Sequence, residues 1–412
     1  MIESRPGRAA TRPGVDEALA IIASSACPLG IEEIDTGVAA GRVTAGPIHA
    51  ARDFPGFDAA AMDGFAIGCD PAATLQHIRV VGSVAAGQWA PPLAAGTATR
   101  ISTGAPVPAG ATAILIQEAA TLVESDGAEY LRLCEPVEIG RNIRCRGEDV
   151  RQGAAVLSIG VGLTPDAIGA LISYGVRRVP VRRVPTLALI STGSELAVAG
   201  DHDLASGHIF DSNGPMIAAA IREAGLAVDF LGSAADRGDD LRALIDRAIS
   251  GPATLILSTG GVSRGEHDHV RRVLEDLGAT ILFHGVRMRP GKPMLVARLP
   301  DGRLYFGLPG NPVAALVAFR FFVLHAVRMH LGLPAEAGDP VAASPGGRPD
   351  STLFLRGRKT MGQDGSVAID TSLDQRSHIL RSVVQADTWL RIDERDGRTI
   401  ARAYPKHAPR LA

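Results

Sequence analysis

Three segments rich in Ser, Thr, Gly and Asn follow short apolar runs in this 412-residue chain, at 191–195, 258–265 and 308–312. Small residues let a main chain approach a phosphate closely, and hydroxyls with free N–H groups supply donors. The same residue types also build ordinary turns, so each segment carries both readings. Between the second and third lies Arg287-Met288-Arg289-Pro290-Gly291-Lys292-Pro293, with three cations in six residues on a backbone stiffened by Pro and Gly. Such a cluster suits a small multivalent anion, or is a solvated basic loop. Carboxylates recur at loops too: Asp63 before Gly64, Glu148-Asp149 after Gly147, Glu195, Asp211, and Glu266 with Asp268. Acids beside anion-binding loops make sense where a hard cation such as Mg²⁺ bridges them to phosphate oxygens. Singly, each is a cap or a surface acid.

Those loops need a frame. From 185 to about 331, apolar strands alternate with helix patterns in the rhythm of a parallel α/β sheet. The spacing predicts strands at 186–190, 228–231, 253–257, 280–283, 294–297 and 304–307, with helices at 212–224, 239–249 and 267–277. A closing helix begins at Pro312, with Asn311 placed to cap it. In an open α/β sheet, ligands sit beyond the carboxyl ends of the strands, where all three loops fall. Residues 51–150 show short alternating runs broken by Gly and Pro, a β-rich unit. A helix at 165–174, capped by Thr164, implies a connector built from two chain segments. Strand-like runs after 334 suggest a small C-terminal β-barrel.

Bulk properties narrow the function. A chain this long exceeds one growing core. Lys plus Arg number 42 against 44 Asp plus Glu, so no global positive field exists for nucleic acid. Cys27, Cys69, Cys134 and Cys145 lack zinc-type spacing and read as reduced thiols. The first 13 residues have no apolar core of a signal peptide, and the most apolar stretch, 312–324, is interrupted by Arg320 and falls short of the roughly 20 residues of a membrane span. A soluble, cytoplasmic protein is expected. GxxxxGK[ST], GxGxxG and HExxH are absent, which disfavours P-loop NTPases and dinucleotide dehydrogenases.

Several strings, in order, resemble the MoeA family, the molybdopterin molybdenumtransferases that include the gephyrin E domain. They are Pro55-Gly56-Phe57-Asp58 with Ala61-Met62-Asp63-Gly64-Phe65-Ala66, Ser102-Thr103-Gly104-Ala105-Pro106-Val107-Pro108, Arg146-Gly147-Glu148-Asp149, Ser191-Thr192-Gly193-Ser194-Glu195-Leu196, Asp211-Ser212-Asn213, residues 258–265, Pro290-Gly291-Lys292-Pro293, and Gly307-Leu308-Pro309-Gly310-Asn311-Pro312. The resemblance implies a multidomain α/β plus β fold. Its parts are a connector (28–50 and 151–184), a β-rich domain (51–150), a parallel-sheet molybdopterin-binding domain (14–27 and 185–331) and a C-terminal β-barrel (334–412). It also implies a homodimer whose cleft lies between the α/β domain of one subunit and the β-rich domain of the other. The implied reaction is Mg²⁺-dependent insertion of molybdate into adenylylated molybdopterin with release of AMP.

By the same resemblance Asp63 is the essential acid, with Thr103 and Asp149 near it and Glu195 on the α/β side. Asp63, Glu195 and Asp268 are the implied metal ligands. Ser258, Gly260, Gly261, Ser263, Asp268, Arg289, Lys292, Pro309, Pro312, Arg356 and Ser377 are the implied substrate contacts. A molybdopterin adenylyltransferase and apo-molybdoenzymes are the implied partners. This chain departs from the family at Ala59-Ala60, where Asn-Ser is usual, at Arg289 for Lys, at Arg376 for Gly and at Asp387 for Asn. A molybdopterin adenylyltransferase and a non-catalytic carrier are the alternative functions.

Overall fold

The computed structural model describes residues 12–68, 77–89, 91–133, 136–197, 204–235, 237–262, 269–341, 350–361 and 367–411. Its central sheet has six strands in the order Ala227–Ala234, Thr186–Thr192, Leu255–Thr259, Leu304–Leu308, Leu295–Arg298, Thr280–His284. Successive residues of one strand feed opposite cores, as a period of two requires. Leu187 and Leu189 pack with Ile217, Phe306 and Val313, whereas Ala188 and Ile190 pack with Leu241, Ile245 and Leu274. Helices therefore cover both faces. The helix Val15–Ser25 joins the first of these cores through Val15, Ala18 and Ile22, although it comes first in sequence.

The sheet is mixed rather than parallel. Its first four strands run parallel, but Leu295–Arg298 is antiparallel to both neighbours. The links on either side are too short to hold a crossover helix, so the chain returns as hairpins. A second difference lies at the helix Asn213–Glu223. Ser212 makes no side-chain cap; instead the Asp211 carboxylate accepts from Gly214 N at 3.0 Å.

The closing helix begins at Pro312, as expected. Pro312–His330 is one 19-residue helix with a π turn at Phe319–Val323. By length and composition it is apolar enough to cross a membrane, but Val313, Val317, Phe322 and Val327 are buried in the protein core. Arg320 does not interrupt it, because its guanidinium is held by both oxygens of Glu336 at 2.6 and 2.7 Å. Asn311 sits at the cap position without a side-chain cap bond, and Val313 N donates to Ser377 O at 3.2 Å.

Two further units flank the central sheet. A six-stranded sheet runs Ala113–Ile116, Gly64–Gly68, Thr97–Ile101, His77–Val84, Ala128–Arg132, Thr121–Ser125, around Phe65, Ile67, Ile78 and Leu131. Between it and the central sheet, Ile31–Asp35 pairs with Arg178–Arg182 and Ile48–His49 with Ala155–Leu157, joining distant chain segments beside the helix Pro165–Ser173. In the C-terminal part, strands run Met288–Arg289, Thr352–Met361, Thr388–Arg395, Arg398–Pro405, Asp339–Val341, with Val367–Asp370 beside Thr352–Met361. This path is open among the described residues, so the expected barrel is not closed. Its end strands are two and three residues long and offer too few ladder groups to close it.

Candidate functional site

At the carboxyl ends of the central strands, three loops lock into one another. The Thr192 hydroxyl donates to Thr259 O at 3.0 Å, and Gly260 N donates to Leu308 O at 3.0 Å. Both glycines are required. Gly260 has φ +87 and a Cβ there would lie 2.4 Å from Thr192 O; Gly261 has φ +65 and its Cβ would lie 2.9 Å from Thr192 Oγ1. The loop 308–312 is tied down from another side, where Asn213 Nδ2 donates to Gly310 O at 2.6 Å. Glu195 is exposed and folds back over Gly193, whose ideal Cβ would meet its Oε2 at 2.6 Å. Backbone N–H groups, a helix N-terminus and one exposed carboxylate thus share a rim.

Other expected contacts fall at different depths. Ser258 is wholly buried inside its strand, below the rim. Pro309 is buried and Pro312 opens the last helix, where Ser377 O meets Val313 N. Arg289 and Lys292 are exposed and have no side-chain partner among the described residues. Arg287, the third cation of the cluster, instead donates to Arg12 O. Arg356 is 1 % exposed; its Nη1 donates to Arg376 O at 3.3 Å, and burial pushes its pKa down against the pull of Asp374. Backbone bonds therefore tie Gly260 to Leu308, beside Pro309, and Ser377 to Val313, beside Pro312, while Arg289 reaches the C-terminal sheet through its pairing with Leu353. Ser263 and Asp268 lie outside the described residues, as does the rest of 263–268.

The acidic side is built on the six-stranded β sheet. Asp63 is exposed at the start of Gly64–Gly68, and its Oδ1 accepts from Thr103 N at 2.7 Å. Gly64 must be glycine, since a Cβ there would lie 2.0 Å from Leu115 O. Asp63, Ser83, Arg100, Ser102 and Gln117 line one pocket. Ala59 and Ala60, the departures noted above, are buried at 6 % and 0 % and pair with Ile143–Arg144, a place where small side chains fit. Asp149 turns elsewhere: its Oδ2 accepts from the Tyr174 hydroxyl at 2.9 Å. Among the described residues no three His, Cys, Asp or Glu groups gather as a metal cage. Hard carboxylate oxygens at Asp63 and Glu195 nonetheless match what Mg²⁺ takes when a substrate supplies its remaining ligands.

Sequence reasoning passed over Thr192, Asn213 and Tyr174 as individual actors. Asn213 and Gly310 are 97 residues apart, and no local pattern announces their bond. The Ser-Thr-Gly triplet at 191 was the one available signal for Thr192.

Residues 14–175 match the MoeA N-terminal region (domain I and II), and residues 188–329 match a probable molybdopterin binding domain. A molybdopterin molybdenumtransferase of Synechococcus elongatus is 34% identical over 373 residues, covering 88% of this chain and 90% of that protein. The chain belongs to the MoeA family of molybdopterin molybdenumtransferases. A MoeA relative from Haemophilus influenzae, also named molybdopterin molybdenumtransferase, is 31% identical over 91% of this chain and 92% of its own length. The crystal structure of a molybdopterin biosynthesis MoeA protein from Pyrococcus horikosii has a TM-score of 0.75 at 28% identity, covering 95% of this chain and 99% of that one. Membership of the MoeA family places the chain among the enzymes of molybdenum cofactor biosynthesis.

Proposed function

We propose that this enzyme inserts molybdate into adenylylated molybdopterin in a Mg²⁺-dependent reaction that releases AMP. The observation that carries the reading is the interlocked rim at the strand ends: Gly260-Gly261 pressed on Thr192, the helix start at Pro312, and the exposed cations Arg289 and Lys292, which have no side-chain partner among the described residues. Backbone donors and a helix N-terminus suit a diphosphate, and two exposed cations suit a tetrahedral oxyanion. Arg289 and Lys292 hold the anion, and the Gly260-Gly261 backbone orients the pterin phosphate. Asp63, fixed by the Thr103 amide, orients the water that attacks the phosphoanhydride, while Glu195 closes the rim opposite. Asp63 and Glu195 would hold Mg²⁺ by their carboxylates, and the bound ion would supply charge neutralisation at the diphosphate. A homodimer that brings Asp63 of one subunit to the rim of the other completes the site, in a cytoplasmic protein that receives its substrate from a molybdopterin adenylyltransferase and serves apo-molybdoenzymes. The division into a connector (28–50 and 151–184), a β-rich domain (51–150), an α/β domain (14–27 and 185–331) and a C-terminal domain (334–412) belongs to the same proposal.

Purified protein with adenylylated molybdopterin and Mg²⁺ should release AMP only when molybdate is added. Release independent of molybdate, or consumption of ATP with molybdopterin, would replace this reading.

A further inference from the structure

The β-rich unit hangs from the rest of the chain by two crossings, near 50–55 and 145–154, which bond to each other: Ala50 N to Ala154 O at 2.9 Å, Gly153 N to Ala50 O at 2.8 Å, Phe54 N to Val150 O at 2.8 Å, and Asp149 N to Phe54 O at 3.1 Å. Side chains reinforce the pair. Asp53 accepts from Gln152 N at 2.8 Å and from Arg146 Nε at 2.6 Å. One residue outside the unit touches both crossings. Tyr174, which ends the helix Pro165–Ser173, accepts from Ala51 N and Arg52 N through its carbonyl at 3.0 and 3.2 Å. Its ring meets Phe54 edge-on at 5.9 Å, and its hydroxyl donates to Asp149 Oδ2 at 2.9 Å. The same crossings lead directly to Asp63: Arg146 N donates to Asp58 Oδ1 at 2.7 Å, and Ala61 N donates to Asn142 O at 2.9 Å.

We infer that Tyr174 is a positioning residue for Asp63, clamping both crossings so that the β-rich unit keeps one orientation, and that Asp149 acts through Tyr174 rather than on substrate. Two strands meeting at one point form a hinge, and a hinge without a side clamp swings about that point. A ring wedged on one crossing and a hydroxyl bonded to the other remove that freedom. A displacement of about 1 Å at a reacting group is enough to cost on the order of a hundredfold in rate, so the clamp acts on turnover without touching the ligand. The consequence for turnover rests on the proposed role of Asp63; the clamp itself does not.

The test compares Tyr174→Phe, which keeps the ring and removes the hydroxyl, with Asp149→Asn and with the double variant. Two readouts are needed. The first is molybdate-dependent AMP release, separated into kcat and KM. The second is the distance distribution between spin labels on Glu124→Cys and Asp240→Cys, with the four native cysteines replaced by serine. Each single variant should lower kcat by about tenfold at unchanged KM, the double variant should lower it no further, and all three should broaden the distance distribution. Asp149→Asn losing far more turnover than Tyr174→Phe, with the distribution unchanged, would overturn the inference and return Asp149 to the substrate. An unbroadened distribution in Tyr174→Phe would also overturn it. Wild type without molybdate-dependent AMP release would defeat the proposed function alone, because the distance measurement would still decide the clamp.

Discussion

Asp63 has one carboxylate oxygen fixed by the Thr103 amide, which leaves the other to act on whatever enters the pocket with Ser83, Arg100 and Gln117. Replacement by Asn keeps an acceptor for that amide and removes the charge. Asp63→Asn should therefore melt like wild type while losing about a hundredfold or more in molybdate-dependent AMP release, measured at saturating substrate. Equal turnover would remove Asp63 from the reaction. Arg289 and Lys292, exposed and without a described side-chain partner, affect binding more than fold. Lys292→Ala should raise the KM for molybdate by about tenfold with little change in melting temperature, the loss of one charge-assisted contact. At this scale the sequence was informative where chemistry is local. Glu195, Gly260 and Gly261 stand out because small residues follow apolar runs. Asn213 did not, since its value comes from reaching Gly310 across 97 residues. Ser258 illustrates the converse: a hydroxyl in a promising string lies wholly inside the sheet.

Elements place those residues, and their failure points are specific. Gly64 carries the start of the strand behind Asp63, and Gly64→Ala should destabilise the protein by about 2–3 kcal/mol or more in denaturant unfolding, because the added carbon meets a backbone carbonyl that cannot step aside. The long helix Pro312–His330 holds the N-terminal helix and the segment after it through two histidines: His325 Nε2 lies 3.2 Å from Leu19 O and His330 Nδ1 lies 2.7 Å from Cys27 O. Burial lowers the pKa of both, so protonating them is harder in the folded chain than in the unfolded one. Near and below a pH of about 6.5 the unfolded chain takes up protons that the folded chain refuses, and stability falls as pH drops. Above that value both states are neutral and the contribution is complete. Melting temperature should therefore be lower at a pH of about 5.5 than at about 7.5, and the difference should shrink in the His325→Gln, His330→Asn double variant. Periodicity revealed most helices and strands of the α/β region. It could not reveal that Leu295–Arg298 runs backwards, since direction depends on the length of the links rather than on the strand. Nor could it show what holds the Arg320 charge inside an apolar helix, because its partner Glu336 lies beyond the helix end.

The whole molecule separates Asp63 from the cationic rim. Asp63 is bonded within the β-rich sheet, through Thr103 N and Gln117 N, whereas Glu195, Gly261, Arg289 and Lys292 stand on or beside the central sheet. Sequence patterns indicated a multidomain chain with a connector made from two segments, because a helix and strand-like runs sat outside the α/β rhythm. The closed C-terminal barrel was an overreach, since runs such as Thr352–Met361 and Thr388–Arg395 specify strands but not whether their edges meet. The central claim is that one site draws Asp63 from one subunit and the cationic rim from another. Asp63→Ala and Lys292→Ala chains, the first impaired in turnover and the second in its use of low molybdate, can be co-expressed with different tags, purified through both and assayed at molybdate well below the KM of Lys292→Ala. A mixed dimer then holds one intact site, and its molybdate-dependent AMP release should recover to about half that of wild type. No recovery in a dimer carrying both tags, or failure to obtain such a dimer, would contradict the shared site.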